Sequence, residues 1–97
     1  MTVTVLLEVQ AKPENIEKLR LIFSEILVDT RNYQGCIDVK VLGDQDDPLN
    51  LVLVEKWQSR QHYQNYFAWR TETGALEILA ALLCKEPSIR YFHNENI

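Results

Sequence analysis

A chain of 97 residues with 46% apolar content suits one compact domain spanning residues 1–97, and it leaves no room for a second. Its net charge of −4, with Lys and Arg scattered singly, provides no basic stripe for phosphates, so nucleic acid is not an expected partner. No apolar run approaches the roughly 20 residues a bilayer span requires, and Met1 to Gln10 lacks the basic start and small-residue cleavage site of a secretory leader. The expected setting is cytoplasmic, with no membrane partner.

Along the chain, Val3, Val5, Leu7 and Val9 alternate with Thr4, Leu6 and Glu8, which predicts a first strand with apolar groups on both sides. Lys12-Pro13-Glu14 then opens a helix, with Pro at an early helical position and Glu14 and Glu17 near its positive end. Its inward stripe is Ile16, Leu19, Ile22, Phe23, Ile26 and Leu27. Leu21 and Val28 fall off that stripe, which suggests partial cover on the outer side.

Gly35 marks the turn into a second strand, Cys36 to Leu42, with Ile37, Val39 and Val41 expected to be buried. A polar loop, Gly43 to Pro48, leads to a third strand, Asn50 to Trp57. Leu51, Leu53, Glu55 and Trp57 share one side of it, while Val52, Val54 and Lys56 share the other. A strand so apolar on both sides is a central one. Ser59 is a good N-cap for a second helix, Arg60 to about Arg70, which Thr71 to Gly74 interrupts before a further helical stretch from Ala75 to Leu83. After Pro87, residues Ile89 to His93 alternate as a last strand.

The order β-α-β-β-α-β predicts an α+β, ferredoxin-like fold: a four-stranded antiparallel sheet with the helices on one face. Nothing in the chain remains to cover the second face. A second copy packed sheet against sheet is the economical solution, so a homodimer is expected.

The segments Val9-Gln10-Ala11-Lys12-Pro13-Glu14, Gly35-Cys36, Asp46-Asp47-Pro48 and Leu53-Val54-Glu55-Lys56-Trp57-Gln58-Ser59 resemble, in order and spacing, the antibiotic biosynthesis monooxygenase family, and Pro87 to Phe92 is similar to its closing strand. The E-x-W at the end of a strand is the most specific of these. The resemblance implies a dimeric α/β barrel with an apolar cavity in each protomer between sheet and helices. It further implies oxidation of electron-rich aromatics such as anthrones and quinols by molecular oxygen, with no cofactor, neither metal nor flavin. Other branches degrade haem or process small signalling sugars, so the family fixes architecture better than reaction.

One departure concerns the second helix, where many relatives carry a His nine residues after the Trp and often another beyond it. Here that position is Tyr66, and no His follows it on the helix. The first strand also lacks the Asn that the haem-degrading branch requires, so haem ligation of that kind is not supported.

Cofactor-free oxygenation needs a substrate anion that can give an electron to oxygen, so the protein must deprotonate, stabilise the anion and exclude water. The candidate catalytic residues are Tyr66, Trp57 and Arg70, and the candidate substrate-binding residues are Tyr63, Trp69, His62 and Arg90. The rings would form the walls, and Arg70 or Arg90 would face an oxyanion. Against this stands the plainer reading that an aromatic stripe at helical spacing is core, Tyr63 and Phe67 above all. If Tyr66 instead borders a ligand pocket, a Tyr66→Phe exchange is expected to cost folding no more than about 1.5 kcal/mol and to weaken ligand binding more. Glu55 is expected to sit in an ion pair, with Arg90 as the candidate partner. His93 is expected near a dimer seam. Cys36 and Cys84 lack the C-x-x-C spacing of metal or redox sites and are expected to be small buried hydrophobes, Cys84 the nearer to the surface.

Two functions remain open on these residues. One is a cofactor-independent monooxygenase acting on a small aromatic or quinone-like ligand. The other is a non-catalytic ligand-binding or interaction module on the same dimeric fold.

Overall fold

The computed structural model describes residues 1–97. Strands β1 (Val3–Gln10), β2 (Cys36–Gly43), β3 (Asn50–Trp57) and β4 (Ser88–Phe92) form one antiparallel sheet in the order β2-β3-β1-β4. Between them run helices α1 (Ile16–Arg31), α2 (Arg60–Glu72) and α3 (Ala75–Ala81), with a single 3-10 turn at Pro13–Asn15 ahead of α1. The architecture is the expected ferredoxin-like α+β fold. No helix is long and apolar enough to cross a membrane.

The central pairing aligns Val3 with Trp57, Val5 with Glu55 and Leu7 with Leu53, so side chains of like direction stack into rows across the sheet. The inner rows bury Val5, Val9, Leu51, Leu53 and Trp57 against the helices. Two apolar clusters result. In one, Leu19, Phe23 and Leu27 of α1 pack on Val9, Leu51, Leu53 and Val39. In the other, Tyr63 and Tyr66 of α2 pack on Val3, Val5 and Trp57.

Strand β2 departs from expectation. Only Val39 is buried; Ile37 is 49% exposed and Val41 is also exposed. A register shift between Cys36 and Asp38 breaks the alternation at Ile37, and Val41, level with Leu53, lies on an edge strand of the sheet. Leu21 and Val28 are likewise exposed rather than covered. The last helix is shorter than its apolar spacing implies. It ends at Ala81, and the buried Leu82 and Leu83 lie in the turn after it, where Leu83 forms a lone bridge with Ala11. Cys36 is half-buried and Cys84 exposed, so neither is the fully buried hydrophobe expected. Burial, above all, raises the Cys36 thiol to about 11, which leaves it protonated and unreactive.

On its outer side the sheet has no helix. The registers align Leu6 with Val54 and Arg90, Thr4 with Phe92, and Leu42 with Val52. Leu42 and Phe92 are exposed, and Leu6, Val52 and Val54 only half-buried.

Candidate functional site

Helix α2 starts where Ser59 accepts from the His62 backbone N–H at 3.1 Å. From that fixed start, Tyr63, Tyr66 and Arg70 follow at spacings of three and four and share the face turned to the sheet. All three are buried. They line a cavity of about 360 Å³ between sheet and helices, together with Leu53, Leu76 and Leu79, and most of its wall is apolar. Its size is at the lower end for small-molecule sites.

Besides the exposed Glu86 at its lining, three buried polar groups matter to this cavity. Glu55, 3% exposed, reaches it from β3. The Trp57 Nε1–H donates to its Oε1 at 3.0 Å, and no cation lies within ion-pair distance. Burial raises the Glu55 carboxyl to about 7, partly offset by the Trp57 hydrogen bond. The Tyr66 hydroxyl is the second group. It shares a 2.6 Å hydrogen bond with Thr30 Oγ1 and accepts from Arg70 Nε at 3.0 Å. Arg70 is the third, 6% exposed, and its Nη2 donates to the Ile26 carbonyl at 2.6 Å and to Thr30 Oγ1 at 3.1 Å. Burial also raises the phenols of Tyr63 and Tyr66, so both stay neutral donors near pH 7.

The remaining candidates lie elsewhere. Trp57 is fully buried at 0% exposure and stands behind the wall, in ring contact with Tyr63 at 5.6 Å and Tyr66 at 5.0 Å. Trp69 stacks on Tyr33 at 5.2 Å, with the Arg70 guanidinium 4.5 Å from its ring. His62 packs its ring against Gly35, whose φ of +94° and close approach suit only a residue without a Cβ. Its Nδ1 meets Ser59 Oγ at 2.6 Å, which makes it part of the helix start. Arg90 is exposed, its guanidinium 5.2 Å from the Phe92 ring, and Leu6 is its partner across the outer rows. It is therefore not the partner of Glu55. His93 is exposed beyond β4 and meets Glu95 at 3.2 Å.

Sequence reading undervalued Glu55 and missed Thr30 and Tyr33. The phase of Glu55 with Leu53 and Trp57 placed it inward, and only the assumed ion pair concealed its role. Thr30 continues the spacing of Phe23 and Leu27, so its burial was readable from periodicity. Tyr33 lies in the turn after α1, where no periodicity operates. No group of three or more His, Cys, Asp or Glu is placed to hold a metal ion.

The fold is that of a small α+β domain with an apolar cavity between sheet and helices. Residues 2–72 match the family described as antibiotic biosynthesis monooxygenase, and the chain belongs to that family. No curated protein sequence matches it. Among solved structures it is similar to a conserved protein from Methanosarcina mazei Go1, at 21% identity and a TM-score of 0.90, covering 98% of this chain and 94% of that one. It is similar to an antibiotic biosynthesis monooxygenase at 22% identity and a TM-score of 0.85, with 95% and 97% covered. SnoaB, a cofactor-independent oxygenase from Streptomyces nogalater, aligns at 14% identity and a TM-score of 0.84, with 97% and 93% covered. At these identities the likeness shows the fold alone.

Proposed function

We propose that the cavity binds a small aromatic, quinol-type molecule and that the protein oxidises it with molecular oxygen as a cofactor-independent monooxygenase. The observation that carries this reading is the convergence of Glu55, Tyr66 and Arg70 on one apolar cavity. A carboxyl near pH 7 is suited to take a proton from an activated C–H or O–H. Arg70, held in place by the Tyr66 hydroxyl and Thr30, then stabilises the substrate anion where little water competes. That anion gives an electron to oxygen. For an anthrone-type methylene, O2 then supplies the carbonyl oxygen and leaves as water, so no further reductant is required. Trp57 positions Glu55 from behind.

The proposed working unit is a homodimer in which a second copy covers Leu6, Val54 and Phe92 on the outer sheet face. Oxygen uptake by metal-free protein, screened over anthrones and quinols, tests the reaction. Uptake above the uncatalysed rate, lost in Glu55→Gln, is the expected result. Binding without uptake for every substrate would favour the non-catalytic ligand-binding module, which the Tyr at position 66 in place of the relatives' His also favours.

A further inference from the structure

Arg70 is a buried cation without a counter-ion. It takes part in no ion pair within 4.0 Å, and its hydrogen-bond partners, the Tyr66 hydroxyl, Thr30 Oγ1 and the Ile26 carbonyl, are all neutral. Buried charges are ordinarily paired, because leaving water is costly for an isolated ion. The Nη1 nitrogen has no protein partner at all. No fully buried side-chain nitrogen or oxygen lacks a hydrogen bond, so Nη1 is reached from open space, and the cavity is open space that Arg70 lines. The carboxyl of Glu55 does not supply the missing charge. Its hydrogen bond goes to Trp57, and near neutral pH a large part of it is protonated. Glu86, the one other acid along the cavity lining, is exposed to solvent, where water screens it.

Around that cation the wall is apolar, with Leu53, Leu76, Leu79 and Ile89 among the residues facing the ligand space. Aromatic faces of Trp69 and Tyr66 lie beside the guanidinium, but no anion does. One positive group without an anionic partner in an apolar enclosure selects for a ligand of matching form. We propose that the cavity takes a compact apolar molecule bearing one anionic oxygen group, a carboxylate or an ionised enol, whose charge pairs with the Arg70 guanidinium. This rests on the reading of the cavity as the ligand site and narrows its substrate class from aromatics in general to weak organic acids. Tyr66 and Thr30 act as positioning residues, since they hold Nε and Nη2 and leave Nη1 for the ligand.

The test compares 1-naphthoate with its neutral isostere 1-naphthamide by calorimetric titration. The wild-type protein is expected to prefer the carboxylate by about tenfold or more, the scale of one hydrogen bond to a charged group. Arg70→Gln is expected to bring the two affinities together, and Arg70→Lys, which retains the charge, to keep part of the preference. If Arg70→Gln does not fold, the wild-type ratio and the Arg70→Lys ratio decide. Equal affinities in the wild type, or a preference for the amide, would overturn the anionic ligand and leave the cavity site standing. Failure of both probes to bind would overturn the ligand-site reading and this inference together.

Discussion

The indole Nε1–H of Trp57 donates at 3.0 Å to Oε1 of Glu55, two residues earlier on the same strand face. An E-x-W at the end of a strand is thus a built pair. The alternation of β3 turns both side chains inward, and the indole satisfies one oxygen of a carboxyl that has no cation beside it. The other oxygen is left to the cavity.

Glu55 makes stability depend on pH with a definite sign. Its folded-state value, about 7, lies above its ordinary 4.5, so its protonated form is the one the fold favours. Stability from this group is fully present below the ordinary value and is lost as pH rises through about 7, by at most on the order of 3 kcal/mol. Urea denaturation between about pH 5 and about pH 8 should show the midpoint falling as pH rises, and Glu55→Gln should flatten that slope. An unchanged slope in the variant would show that other groups govern it.

Trp57→Phe removes the donor and leaves space behind Tyr63 and Tyr66. A cost of about 2–4 kcal/mol is expected from the lost packing and the unpaired oxygen together. Because the indole hydrogen bond is what lowers the Glu55 carboxyl, the pH at which stability falls should also move upward in this variant.

Tyr66→Phe should cost more than the single neutral hydrogen bond that the sequence suggests. The hydroxyl serves two buried partners, Thr30 Oγ1 and Arg70 Nε, and one of them is charged. Removing it strands a guanidinium nitrogen, so about 2–3 kcal/mol is the expected loss in chemical denaturation. A loss below about 1 kcal/mol would mean that water replaces the hydroxyl.

Much of the fold was readable because its signals are periodic. Period two in β1 and β3 and the spacing of threes and fours in α1 and α2 give element type, facing and order. At β2 the reading failed, since a register shift takes Ile37 out of phase and the edge position leaves Val41 exposed although it keeps the inner phase. The cavity lining was legible where it lies on a helix face, as for Tyr63, Tyr66 and Arg70. It was not legible where depth or sheet facing decides. Trp57 lies behind the cavity wall, and Arg90 falls on the outer rows because β4 pairs it with Leu6. Periodicity gives a direction but not how far a side chain reaches.

The outer sheet face supplies a further expectation. Leu6, Val52, Val54, Leu42 and Phe92 lie on rows without helical cover, so light scattering at micromolar concentration should give the mass of two chains. Arg substitutions at both Leu6 and Val54 should shift the protein towards monomer and lower its melting temperature. A wild-type monomer would contradict the proposed assembly.

Methyl-detected NMR titration with 1-naphthol addresses the central claim, that the space between sheet and helices is the ligand site. The methyl groups of Leu53, Leu76, Leu79 and Ile89, which line that space, should shift with a common saturation curve, while those of Leu6, Val52 and Val54 on the outer sheet face should not. Shifts confined to the outer face, or none at saturating ligand, would contradict it.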